Sequence, residues 1–184
     1  MMEVEVAKRR FSVEEYHRMG ESGILTENDR VELIHGEIIT MSPIGTRHAA
    51  CVNRLNMLFT ALFRGKAIVS VQNPVRINHE SEPEPDLVLL KHEDDFYAQR
   101  PPSAEDVLLI IEVSDSTLKY DQKVKLPLYV QAGVSQVWIV NLEKEEIEVH
   151  WQAEGKGYQQ KIYQKRDTLS LMKQEISAED ILGK

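Results

Sequence analysis

Pro85-Asp86-Leu87-Val88-Leu89-Leu90 and Val107-Leu108-Leu109-Ile110-Ile111-Glu112-Val113 are two apolar runs of strand length. Each carries one carboxylate, the first at its entrance and the second near its end. Taking a charge out of water costs several kcal/mol unless a partner or a metal compensates it. Two such strands in one chain predict a shared site where both carboxylates meet a cation.

The chain around them is 184 residues long, the size of one ordinary domain, 1–184, with a single core. Its 42% hydrophobic and 28% charged content is that of a globular protein. A net charge of −8 argues against indiscriminate coating of nucleic acid or anionic membrane, although 22 Lys and Arg leave room for a local basic patch. The single cysteine, Cys51, lies in a helical pattern and reads as a small buried apolar residue. No apolar run reaches the roughly 20 residues of a membrane span. The Met1–Val6 stretch has none of the features of a signal peptide. The expectation is a soluble cytoplasmic protein.

Ser12-Val13-Glu14-Glu15 is a capping box that predicts a helix from Val13 to about Gly20. After a polar connection, Val31–Ile34 and Glu37–Met41 read as strands turned at His35-Gly36. Apolar residues at Val52, Leu55, Leu58, Phe59 and Leu62 form one stripe of a helix over Thr46–Phe63, which Gly65 ends. Strands are predicted at Ala67–Val71 and Val75–Ile77, separated by Asn73-Pro74. Residues 91–106 form a charged, proline-containing surface excursion with one turn of helix. A helix follows the polar turn at Ser114–Thr117 and runs to about Ala132, with Gly133 as its stop. Gln136–Asn141 and Glu146–Trp151 make a hairpin turned at Glu143-Lys144-Glu145. The last strand is placed near Tyr158–Tyr163, and a turn of helix at Ser177–Leu182. Hairpin-connected strands interrupted by helices predict an α/β (α+β) fold, a mixed sheet flanked by helices. The Glu112 strand, its helix and the Val137–Val140 strand form a crossover unit, making that strand pair parallel.

Hard carboxylate oxygens suit Mg²⁺, which takes one or two protein carboxylates and fills its shell with water and substrate phosphate. Such an ion neutralises charge in displacement at phosphorus. A lysine that orients the attacking water or accepts its proton completes such a site, and Lys119, Lys123 and Lys125 all follow Glu112.

The pattern Pro85-Asp86, a separation of 26 residues, then Glu112-Val113-Ser114 resembles the PD-(D/E)XK signature of restriction-endonuclease-like nucleases. Ser114, Ser116, Thr117, Asp121, Lys125, Tyr129, Gly133-Val134 and Trp138–Asn141 continue the likeness downstream. Glu32–Glu37 and Arg47-His48 continue it upstream. Together these residues are similar to the Uma-type family of bacterial proteins, an endonuclease branch of that superfamily, over roughly residues 12–152. The resemblance implies a restriction-endonuclease-like fold and a Mg²⁺-dependent DNA endonuclease, with Mn²⁺ as a substitute ion and a homodimer as the working form. It implies that Asp86, Glu112 and the backbone carbonyl of Val113 hold the metal and that Lys125 addresses the water. Glu32 adds a further acid, and Gln72 and His48 stand at the rim. Ser114 departs from the signature, which has lysine there; the Uma-type pattern moves that lysine to the following helix and selects Lys125. Pro127, two residues later, bends a helix and so keeps Lys123 as the alternative.

Each residue also has a plainer reading. Asp86 is a turn residue after proline, Glu112 the partner of Lys125 or Lys123 in a structural ion pair, and Glu32 a water-facing strand residue. His48 is a surface residue, and Tyr129 and Trp138 are core. The histidines show no zinc-ligand spacing, and Ser114 and Ser116 lack a nucleophile elbow. The alternative function is a catalytically inactive nuclease-like module that binds DNA or protein.

Overall fold

The computed structural model describes residues 8–153 and 157–183. The Met1–Val6 stretch, read above from sequence, lies outside the described residues. Helix α1 spans Val13–Glu21, and its capping box is formed on both sides: the Glu15 N–H donates to Ser12 Oγ and the Ser12 N–H to Glu15 Oε2. Strands β1 (Val31–Ile34) and β2 (Glu37–Thr40) form the expected hairpin. Its turn residues, His35 and Gly36, have φ of 51° and 74°, the doubly left-handed turn that suits twisted strands. A Cβ on Gly36 would lie 2.5 Å from the Cβ of Arg10, so the close approach of the N-terminal segment also demands glycine.

Helix α2 (Thr46–Phe63) lies across a mixed sheet in the order β3-β4-β5-β6-β7-β8 among the described residues. The strands are β3 (Ala67–Ser70), β4 (Leu87–Lys91), β5 (Val107–Ser114), β6 (Gln136–Asn141), β7 (Glu146–Ala153) and β8 (Gly157–Gln164). β5 and β6 pair in parallel, as the crossover reading requires, and the other neighbours pair antiparallel. The excursion between β4 and β5 contains one 3₁₀ turn, Ala104–Asp106.

Both faces of the sheet are covered, which explains why β4 and β5 are nearly continuous apolar runs. One face holds Leu87, Leu89, Leu109, Ile111, Trp138 and Val140 against Cys51, Leu55, Phe59 and Phe63 of α2. There the Phe59 ring meets Trp138 edge-on at 5.8 Å. The other face holds Val88, Leu90, Ile110 and Val137 against Ile34, Leu128, Tyr129 and Val134. Alternation along the strands therefore sends Glu112, like Ile110, toward this second face.

Three expectations are corrected. Val75–Ile77 is not a strand. Val75 and Ile77 alternate inward, but their backbone bonds go to Pro83 O and Ser81 O in a loop, and the segment makes isolated bridges only. Prolines at 74, 83, 85, 101 and 102 strip the neighbourhood of the donors a ladder needs. Tyr158–Tyr163 is not the last strand. A further hairpin, β9 (Thr168–Leu171) with β10 (Gln174–Ser177), precedes α5 (Ala178–Leu182) and buries Leu169, Leu171 and Ile176 in the core that α2 also faces. Its turn, Met172-Lys173, has φ of 49° and 67° with no glycine or asparagine to announce it. The helix after Thr117 is not continuous. It consists of α3 (Leu118–Tyr120), a π turn (Asp121–Lys125) and α4 (Leu126–Gln131). The Leu126 N–H reaches back five residues to Asp121 O, and Pro127 falls in the first turn of α4, where a missing N–H costs nothing.

Phe59 is fully buried at the centre of the larger core. Phe59→Ala is expected to lower stability by about 3–5 kcal/mol, seen as a lower urea midpoint with an unchanged m-value.

Candidate active site

The loop before β4 delivers Asp86, and its position follows from main-chain bonds around it. Gln72 N–H donates to Pro85 O at 3.2 Å, and Gln72 Nε2 to Asp86 Oδ1 at 3.2 Å. Gln72 holds a φ of 51° to do so. Asp86 Oδ2 accepts the Val113 N–H at 2.8 Å. In a strand the N–H and C=O of one residue share an edge, so the Val113 carbonyl also faces the Asp86 side. His48, in the first turn of α2, places Nε2 3.0 Å from Asp86 Oδ1. That contact raises the His48 pKa, with burial working against it. Its Nδ1 is buried without a partner among the described residues.

Glu112 comes from the centre of the sheet and is 3% exposed. Its Oε1 accepts the Tyr129 hydroxyl at 2.6 Å and lies 3.3 Å from Lys125 Nζ. Lys125 is buried too, and its Nζ is 3.0 Å from Glu32 Oε2. Glu32, on β1, is 3% exposed, so its water-facing reading is replaced by an ion pair. The β1–β2 hairpin sits where it does because residues 80–84 bind it: Gly36 N–H to Glu80 O, Glu82 N–H to Leu33 O, and Glu84 N–H to Glu32 Oε2. Lys123, on the same π turn, is exposed and outside the cleft. Lys119 is exposed and lines it.

Asp86, Glu112, Lys125 and their neighbours open onto one cleft of about 530 Å³. Glu32, Gln72, Asp86, Glu112, Val113, His48 and Lys125 line it, with an apolar wall of Ile39, Met41, Pro43 and Ile44 opposite. Six carboxylates line it against three permanent cations, so the lining favours a further cation. Burial pushes the Glu112 carboxyl up to about 8; Lys125 pulls it down, while Asp121 and Asp86 add to the rise. Burial would lower Lys125, but Glu112 and Glu32 outweigh it and hold the ammonium charged. Because Glu32 supplies a second counter-charge, Lys125 keeps a partner even when Glu112 carries a proton.

Two further residues belong to the site although the sequence marks neither as a site residue: Asp121 lines the cleft, and Tyr129 lies buried behind it. Asp121 is buried, with Oδ2 accepting the Ser114 and Thr117 hydroxyls, each at 2.7 Å. Tyr129 was read as core; it is core and a Glu112 ligand at once. Asp121, Lys125 and Tyr129 recur every four residues, a spacing that marks one helix face.

The donors suit a hard divalent ion. Among the described residues no three His, Cys, Asp or Glu side chains already converge on one point. The protein's share would be Asp86, Glu112 and the Val113 carbonyl, a set in keeping with Mg²⁺ and its retained waters.

A sequence model of the Uma2 family, described as "Putative restriction endonuclease", matches residues 13–178. Among solved structures, one titled as a putative nuclease belonging to DUF820 from Anabaena variabilis superposes with a TM-score of 0.74. It is 14% identical and covers 94% of this chain and 97% of its own, a likeness that shows the fold. No curated protein matches. No helix of the described residues is long and apolar enough to cross a membrane.

Between its unfolded value of 4.5 and about 8, Glu112 keeps in the fold a proton that the unfolded chain has lost. Its contribution therefore makes stability fall as pH rises through that window. Glu112→Gln is expected to flatten this part of the metal-free profile, measured by urea unfolding in EDTA across the window.

Proposed function

The chain belongs to the Uma2 family, and from that premise we propose that it is a Mg²⁺-dependent DNA endonuclease hydrolysing phosphodiester bonds in the cleft of Asp86, Glu112 and Lys125. The observation that carries this reading is the Lys125 ammonium, 3.0 Å from Glu32 and 3.3 Å from Glu112, in a cleft shared with Asp86. A lysine in that place answers the departure at Ser114: the group absent from the strand arrives from the π turn instead.

Asp86 and Glu112, with the Val113 carbonyl, would hold the ion. When bound, Mg²⁺ (or Mn²⁺ in its place) supplies neutralisation of the charge that develops on the phosphodiester. Lys125 acts as a fixed cation. Held charged by two carboxylates, it donates hydrogen bonds that orient the attacking water or a phosphate oxygen, and it is unsuited to take the water's proton. Gln72 and His48 secure Asp86. Water adds across the P–O ester bond: its oxygen bonds to phosphorus as that bond breaks, and its proton, carried by solvent, ends on the departing oxygen.

Supercoiled plasmid with Mg²⁺ or Mn²⁺ is expected to be nicked by the wild-type chain. Asp86→Ala and Glu112→Ala should each lose at least about 100-fold of the rate, on the scale of a lost charge-stabilising group. Undiminished nicking by either variant, with contaminating nuclease excluded, sinks the assignment. Lys125→Ala should also cost about 3–5 kcal/mol of stability, because it strands two buried carboxylates.

A further inference from the structure

Tyr129 is fully buried and does not line the cleft, yet its hydroxyl donates to Glu112 Oε1 at 2.6 Å. Lys125 Nζ approaches the same oxygen at 3.3 Å. Among the described residues no hydrogen-bond donor is directed at Glu112 Oε2. A carboxylate turns easily about its last torsion, and its two oxygens are chemically equivalent until something tells them apart. Here the Tyr129 hydroxyl bonds Oε1 and the Lys125 ammonium pairs with the same oxygen, which leaves Oε2 uncommitted. The surroundings are apolar: Leu128, Ile110 and Val137 pack in the same cluster, so phenylalanine would satisfy packing alone. A hydroxyl in that place is costly unless bonded, and Glu112 accepts its bond.

We propose that Tyr129 is a positioning residue that locks the Glu112 carboxylate by Oε1 and so presents Oε2 to a divalent cation. The inference rests on the metal site proposed above and deepens it. Residues behind metal ligands fix ligand orientation, and losing one weakens metal affinity by about 10- to 100-fold.

The test is titration calorimetry with Mn²⁺ alone, on the full chain, for wild type and Tyr129→Phe. Tyr129→Phe is expected to bind Mn²⁺ about 10- to 100-fold more weakly while keeping its near-ultraviolet circular dichroism. In the nicking assay its kcat falls and its KM for plasmid stays put. A variant that melts earlier but binds Mn²⁺ within twofold of wild type overturns the proposal, since a packing role alone predicts that result. If Tyr129→Phe does not fold, 3,5-difluorotyrosine at position 129 keeps the shape and the bond but strengthens the donor. The proposal then requires a change in Mn²⁺ affinity of at least twofold, and no change refutes it. The two readings separate cleanly. Wild type that binds Mn²⁺ but cuts nothing removes the nuclease assignment and leaves this role standing. Wild type that binds no Mn²⁺ removes both.

Discussion

A lysine buried between two glutamates is the constraint on which the site depends. Removing a charge from water costs several kcal/mol per ion, and only close partners offset that. Lys125 has Glu32 at 3.0 Å and Glu112 at 3.3 Å, and each comes from a different element. Glu32 ties down the β1–β2 hairpin, Glu112 belongs to the central strand, and Lys125 belongs to the π turn. The hairpin and the helix therefore cannot settle independently on the sheet. Their packing is correct only when Lys125 meets both glutamates.

The other half of the site works by a different economy. Asp86 is not matched by a buried permanent cation; it is satisfied by the Val113 N–H, Gln72 and His48. These are neutral or titratable donors, so none of them brings a permanent positive charge that would repel an incoming cation. The same bond that satisfies Asp86 aligns the end of β5, so one contact sets both a carboxylate and a main-chain carbonyl.

Much of this was legible in the sequence, and the exceptions have physical causes. The Ser12 capping box, the His35-Gly36 turn, the stripe of α2 and the two carboxylate strands each rest on a local rule, and each appears in the structure. Val75–Ile77 failed because alternation reports which side chains are buried, not where backbone bonds go. The β9–β10 hairpin was hidden by a turn of Met172 and Lys173, residues that seldom adopt left-handed backbone. Within the site, Asp86 and Glu112 stood out because charges in apolar strands need a reason. Lys125 emerged only through resemblance, since three nearby lysines have equal claim on spacing. Tyr129 reads as core because an aromatic on an apolar helix face looks like packing, and its hydroxyl leaves no trace in hydropathy. Pro127 pointed to a disturbed helix but not to the π turn just before it.

That π turn makes the chain intolerant of changes in length. Each residue of an α-helix advances about 100° around the axis. The wide turn at Asp121–Lys125 sets the angular phase between α3 and α4. Deleting one residue there would let a regular helix form, which local propensity alone would favour. It would also swing Lys125 about a quarter-turn or more away from Glu112, or else drag Leu128 and Tyr129 out of the core. A substitution at an exposed position such as Lys123 leaves that phase untouched, whereas an insertion or deletion shifts it. The segment is metered to the residue, and its irregularity is what keeps the count.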